Sequence, residues 1–189
     1  MEKYFNNLYR LLFETDSIFI EIKDSPKISQ GLFTLIWVNI FLYTLRYVFT
    51  GEILNVFLYL FTLICFLTSV LFSWFMLGLF FEYIAKIFEK SGNLKKILYL
   101  SSFTVLPWLL LAPLELLKEA GNIGYFFGVF FELIVYFWTI FLYCKSLQHS
   151  YDLKFSRSVM LIFLPFIAMF FAFFGGIGFF TKLGYIFTV

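Results

Sequence analysis

The sequence predicts an all-α fold, a polytopic transmembrane helical bundle of five spans preceded by short interfacial amphipathic helices. Three observations carry that prediction. First, the 189 residues are 62% hydrophobic and only 14% charged, where soluble domains hold roughly 45–50% apolar and roughly 25% charged residues. Such a chain has too little polar surface to coat a water-soluble globule, and its mean hydropathy is +0.91. Second, the apolar residues come in runs of about 20 or more, enough to cross about 30 Å of hydrocarbon. Third, lysines and arginines gather between alternate runs.

Residues 1–28 are too few to bury a core of their own. Tyr4, Phe5, Leu8, Leu11 and Leu12 form a helical stripe, and IFIEI follows Asp16-Ser17, a candidate N-cap. Both read as cytoplasmic interfacial helices lying on a lipid surface. Charges throughout this stretch do not fit the pattern of a secretory signal peptide, so the first span is expected to direct insertion. Pro26 marks its entry.

Residues 29–189 are expected to form the five-span domain, with spans at approximately 31–50, 53–88, 97–117, 123–147 and 155–174. The second is too long for a bilayer, at about 54 Å for a rise of ~1.5 Å per residue. Its tail, FFEYIAKIFEK, sets Phe81, Ile84 and Phe88 on one face and Glu82, Lys86 and Lys90 on another, at ion-pair spacing. It reads as an amphipathic stalk at the membrane surface, with Glu82 solvated. After the fifth span, Gly175, Gly176 and Gly178 loosen or end the helix.

Charge sets the orientation. Lys3, Arg10, Lys23 and Lys27, then Lys86, Lys90, Lys95 and Lys96, then Lys145, Lys154 and Arg157 fall on one side; Arg46, Lys118 and Lys182 fall on the other. That asymmetry places the N-terminus in the cytoplasm and the C-terminus outside, in a multi-pass cytoplasmic-membrane protein. The loop cations Lys86, Lys90, Lys95, Lys96, Lys145, Lys154 and Arg157 are expected to face lipid headgroups.

Several classes of chemistry are excluded. A net charge of +2 without a basic stripe argues against a nucleic-acid partner. His149 is the single histidine, expected in a solvated loop with Tyr151, Asp152 and Lys154, so there is no multi-histidine metal site. A serine hydrolase has no base near a nucleophile, and no glycine run precedes the Lys-Ser/Thr of a nucleotide site. Cys65 and Cys144 fall in apolar runs and act as small hydrophobes. No cofactor, metal or catalytic residue is expected.

Three stretches carry a family resemblance. LLFETDSIFIEIKDSPKISQGLF looks like a pre-span segment with an aromatic, a short amphipathic helix and a proline. SGNLKKILYLSSFTVLPWLLL resembles a cytoplasmic glycine and basic turn followed by a serine-containing third span with its proline. FWTIFLYCKSLQHSYDLKFSRSVMLIFLPFI resembles the end of a fourth span, a tyrosine/leucine/serine loop and a proline-bearing fifth span. Together they resemble the Yip (Ypt/Rab-interacting protein) family, in its prokaryotic branch of small five-span proteins. The acidic cytosolic motif of the eukaryotic members is absent, and Glu14-Thr15 stand where a pre-span proline is often found. The resemblance implies the fold and topology and carries over no catalytic residue.

Two constellations could carry chemistry. In the third span Pro107 denies an amide to the carbonyl of Phe103, and Pro113 does so at Leu109; Ser101, Ser102 and Thr104 could bond locally. Pro165 is a third kink candidate, in the fifth span. A prolyl span is either a bent helix fitted to its neighbours or a hinge whose loosened backbone lines a polar site.

Glu132 lies about 13 Å into the fourth span, where a carboxylate costs about 2.5–3.5 kcal/mol even on insertion scales. Arg46 is its expected partner, Glu115 shares the level, and Tyr43, Tyr47 and Tyr136 are available donors. The cluster reads as a register-fixing ion-pair network, an outward-opening proton or ligand site, or a contact with a second subunit. GYFFG, Gly124 to Gly128, has the small-xxx-small spacing of close helix approach, compatible with a homo-oligomer.

The resulting expectation is a non-enzymatic membrane-organising or partner-recruiting protein. It would meet membrane lipids and a cytosolic protein at its N-terminal segment. The alternative is a small transporter, channel or lipid-translocating protein using Glu132, Arg46 and Glu115.

Overall fold

The structure, a computed structural model, describes residues 9–11, 14–23, 25–49, 56–87 and 93–164. Among the described residues the regular elements are all helical. They are α1 (Thr15–Ile22), α2 (Ile28–Phe49), α3 (Val56–Ile87), α4 (Leu94–Ser101), a 3-10 helix (Ser102–Leu110), α5 (Leu111–Lys118), α6 (Gly121–Tyr151) and α7 (Phe155–Leu164). Among the described residues four stretches are long and apolar enough to cross a membrane: Ile28–Val48, Val56–Lys86, Leu94–Lys118 and Gly121–Tyr151. The fifth predicted span begins as α7. Its remainder, with Pro165 and the glycine run, lies outside the described residues, as do Tyr4, Phe5, Leu8, Leu12, Phe88 and Lys90.

The Leu94–Lys118 span is the axis of the bundle. In its most apolar window 61% of residues are buried, against 6% for Val56–Lys86, which turns Phe57, Ile64 and Phe72 outward. Its middle is a nine-residue 3-10 helix, where runs beyond about 3–4 residues are uncommon. The hydroxyls supply a local cause. Ser101 Oγ donates to Leu98 O at 3.3 Å, Ser102 Oγ to Tyr99 O at 2.6 Å and Thr104 Oγ1 to Ser101 O at 2.7 Å. All three reach back three residues, favouring the tighter turn. Pro107 follows inside the 3-10 helix. With i to i−3 pairing, the amide it lacks is the one owed to Thr104 rather than to Phe103. Pro113 falls in the first turn of α5.

Close approaches fasten the neighbours to this axis. A Cβ on Gly31 would overlap Ser102 Oγ, so α2 packs closely on the Ser102 side chain. Trp74 Nε1 donates to Ser101 Oγ at 3.1 Å, tying α3, and Trp108 Nε1 donates to Thr139 Oγ1 at 3.0 Å, tying α6. The turn into α6 needs Gly121, whose φ is +86°. Beyond it, a Cβ on Gly124 would meet Leu117 O, and one on Gly128 would crowd Lys118 and Leu114. The GYFFG spacing therefore serves the α5–α6 hairpin within one chain, and loses its force as a sign of a dimer.

Three expectations change at the other end. The apolar face of the IFIEI segment packs on protein: α1 buries Ile18, Phe19 and Ile22 in one core with Leu11, Leu35, Val38, Tyr99 and Leu100. Asp16 and Ser17 stand inside its first turn, with Glu14 at the cap. The tail of α3 is not a free stalk either, since Phe81, Ile84 and Ala85 are buried against Ile97, Leu147, Tyr151 and Leu161. Glu82 is consequently buried rather than solvated, accepting a hydrogen bond from Tyr151 Oη at 3.3 Å, with Lys86 Nζ at 3.7 Å. Finally, α6 runs on to Tyr151 and ends at Asp152 in a left-handed cap, φ 49°, which takes His149 out of any loop.

Candidate functional site

A part-open cleft of about 700 Å³ lies where α2, α5 and α6 meet. Tyr43 and Arg46 line it from α2, Phe66 from α3, Glu115 from α5 with Glu119 just beyond, and Glu132 and Tyr136 from α6. Five of the six residues expected in one polar cluster thus border a single space. Tyr47 instead packs its ring on Tyr59, with centroids 4.9 Å apart.

The pairing inside the cluster differs from the expectation. Glu132 is held by Lys118, Nζ to Oε2 2.7 Å, and accepts from Tyr136 Oη at 2.9 Å. Lys118 Nζ also donates to Glu115 Oε1 at 3.1 Å. Arg46 makes no ion pair among the described residues, and its side of the cleft is exposed. The reason is geometric: the short α5–α6 turn brings Lys118 onto the face of α6 at Gly128, within reach of Glu132 one turn further on. Tyr43 Oη donates to Thr62 Oγ1 at 2.7 Å and its ring stacks on Phe66 at 5.0 Å, so it joins α2 to α3.

The opposite end holds a second charged cluster, built across the length of the chain. Asp16 on α1 accepts from Lys145 Nζ at 2.8 Å through Oδ2, and its Oδ1 lies 3.0 Å from His149 Nε2. The His149 ring meets Phe19 edge-on at 5.9 Å. Lys23 Nζ pairs with Asp152 Oδ1 at 3.1 Å. Arg10 bridges Glu14 and Glu21, at 3.1 Å each, over the outer surface of α1. The hydrogen bond from Lys145, with that from His149, holds the Asp16 carboxyl below the usual carboxylate range against the opposing effect of partial burial.

The loop cations divide accordingly. Lys145 is turned inward, its ammonium 5.6 Å and 5.3 Å from the Phe141 and Phe155 ring centroids. Lys86, Lys95, Lys154 and Arg157 are exposed and Lys96 half-buried; Lys90 lies outside the described residues. Of the thiols, Cys144 is buried and Cys65 faces outward. Among the described residues no three His, Cys, Asp or Glu side chains gather as metal ligands.

Sequence reasoning passed over Glu119 and gave three others different roles: Lys118 as an outside charge, Asp16 as a helix cap and Glu82 as a solvated stalk residue. Lys118 carried one local signal, its position three residues after Glu115. Asp16 carried none, because its partners are 129 and 133 residues away.

A family model described as the Yip1 domain matches residues 9–177. Neither curated proteins nor solved structures give a match.

Proposed function

The chain belongs to the Yip1-domain family, and from that premise we propose that it is a non-enzymatic multi-pass membrane protein that recruits a peripheral partner to the cytoplasmic face of the membrane. The observation that carries this reading is the docking of α1. Its inner face is buried with Ile18 and Phe19, while Ile20 and Tyr9 remain exposed beside the Arg10–Glu14–Glu21 bridge. A helix fixed from beneath, with apolar side chains left outward amid charges, is a preorganised surface that costs little ordering on binding. Support for a non-catalytic role comes from His149, whose ring is held between Asp16 and Phe19 as part of that docking. The positive-inside count supports a cytoplasmic location for this end.

A photocrosslinking side chain tests the reading in cells. Placed at Ile20, it should capture one discrete soluble protein; placed at Phe72 on the outward face of α3, it should capture none. Asp16→Lys, which sets a second ammonium against Lys145 under α1, should abolish the Ile20 adduct. No adduct at Ile20, or the same adducts at both positions, overturns the proposal.

A further inference from the structure

The cleft carries two charges that the chain itself leaves unpaired among the described residues, Arg46 on α2 and Glu119 just past α5. The other charges there are satisfied, since Lys118 bridges Glu115 and Glu132. Arg46 and Glu119 have opposite sign, line one space, and do not reach each other within ion-pair distance. An unpaired cation and an unpaired anion on separate walls are complementary to a ligand that carries both charges itself.

We propose that this cleft binds the headgroup of a zwitterionic phospholipid, Arg46 taking the phosphate and Glu119 the ammonium. Chemistry decides the polarity. The guanidinium fork matches phosphate oxygens in a bidentate fashion, and the carboxylate accepts from an ammonium. The stacked Tyr43–Phe66 pair lines the same cleft one turn before Arg46. Three carboxylates, Glu115, Glu119 and Glu132, stand against two cations, Arg46 and Lys118, so an anionic headgroup meets a surplus of like charge where a zwitterion does not.

Position decides between a lipid and a free headgroup. Arg46 is near the end of the Ile28–Val48 span, and Glu119 directly follows the Leu94–Lys118 span. Both therefore sit at the hydrocarbon boundary, the depth at which headgroups lie. The remaining walls are Leu42, Leu45, Leu111 and Ala112, which offer an acyl chain its contacts. Beside them α3 turns Phe61 and Ile64 outward, so the cleft is bordered by a lipid-facing helix.

Native mass spectrometry of the full chain in detergent tests this with four probes: dioleoylphosphatidylethanolamine, dioleoylphosphatidylglycerol, dioleoylglycerol and glycerophosphoethanolamine. The first should bind most tightly, by at least ~tenfold over dioleoylglycerol, the difference expected from charge-assisted hydrogen bonds. Arg46→Gln should weaken both phospholipids, with Arg46→Lys intermediate, while Glu119→Gln should weaken phosphatidylethanolamine alone. Both residues are exposed, so unchanged melting temperatures should accompany these losses. Equal binding of dioleoylglycerol, a preference for phosphatidylglycerol, or indifference to both substitutions overturns the site. Glycerophosphoethanolamine binding as tightly as the lipid overturns the membrane source of the ligand.

Discussion

The two ends of the bundle both carry charged clusters, and they differ in what closes them. At one end Asp16, Lys145, His149, Lys23 and Asp152 are all engaged, and α1 lies over them with its apolar face in the core. At the other, Lys118 satisfies Glu132 and Glu115, but Arg46 and Glu119 face a cleft without a protein partner among the described residues. A buried charge left unpaired is costly. At the first end the Asp16 cluster meets that cost with a segment of its own chain, so those charges act as structure. The second leaves two charges for something outside the fold.

The largest effect should come from emptying the core beneath α1. Phe19 is fully buried, and Phe19→Ala should destabilise the protein by about 3–5 kcal/mol, the usual cost of deleting a buried aromatic. Unfolding in mixed micelles with increasing dodecyl sulfate measures it. A nitroxide at Ile20 should become mobile in the same variant, well before global unfolding. If the label stays immobile, packing under α1 is not what holds it, and the contrast between a closed and an open end fails.

Lys118→Met breaks the other end and should cost less, about 1–2 kcal/mol. It leaves Glu132 without its cation, which in a fully buried pair costs about 3–5 kcal/mol. Here the Glu132 side chain keeps 22% exposure and Tyr136 still donates, so part of that loss is recovered. Glu132→Gln should cost less again, below about 1 kcal/mol, because Lys118 retains Glu115. The order Lys118→Met above Glu132→Gln in the same micelle titration sharpens the comparison. The reverse order would make the carboxylate, not its cation, the structural member of the pair.

What could be read in advance follows the range of the interactions. Helix existence and apolar character depend on local composition, so the residues of α2, α3, α6 and the Leu94–Lys118 span were legible in runs. The convergence of Arg46, Glu115, Glu132 and Tyr136 was legible too, because position along a span fixes depth. Partner choice was not. Lys118 displaces Arg46 because of a turn geometry set by Gly121 and the close packing at Gly124 and Gly128. The docking of α1 depends on contacts 129 and 133 residues apart, for which periodicity holds no information. The 3-10 helix lies between these cases: its hydroxyls and proline were visible, but only backbone geometry chose three-residue over four-residue pairing.

The smallest predicted effect tests whether charge, in addition to packing, closes the α1 end. The Asp16 carboxyl is lowered by Lys145 and His149. A depressed carboxyl stabilises the docked form at every pH above its free value, about 3.9, and the contribution disappears as pH falls below that value through the lowered one. The nitroxide at Ile20 should therefore stay immobile from neutral pH down to about pH 4 and loosen only below it. Asp16→Asn should loosen it partly at neutral pH and remove the acid transition, and the transition should survive in His149→Gln, which assigns it to the carboxyl. Asp16 is itself more than half exposed, so solvent screening keeps the change modest beside that of Phe19→Ala. A transition centred well above pH 4, or one untouched by Asp16→Asn, would transfer the closure of this end from the Asp16 contacts to the apolar face of α1 alone.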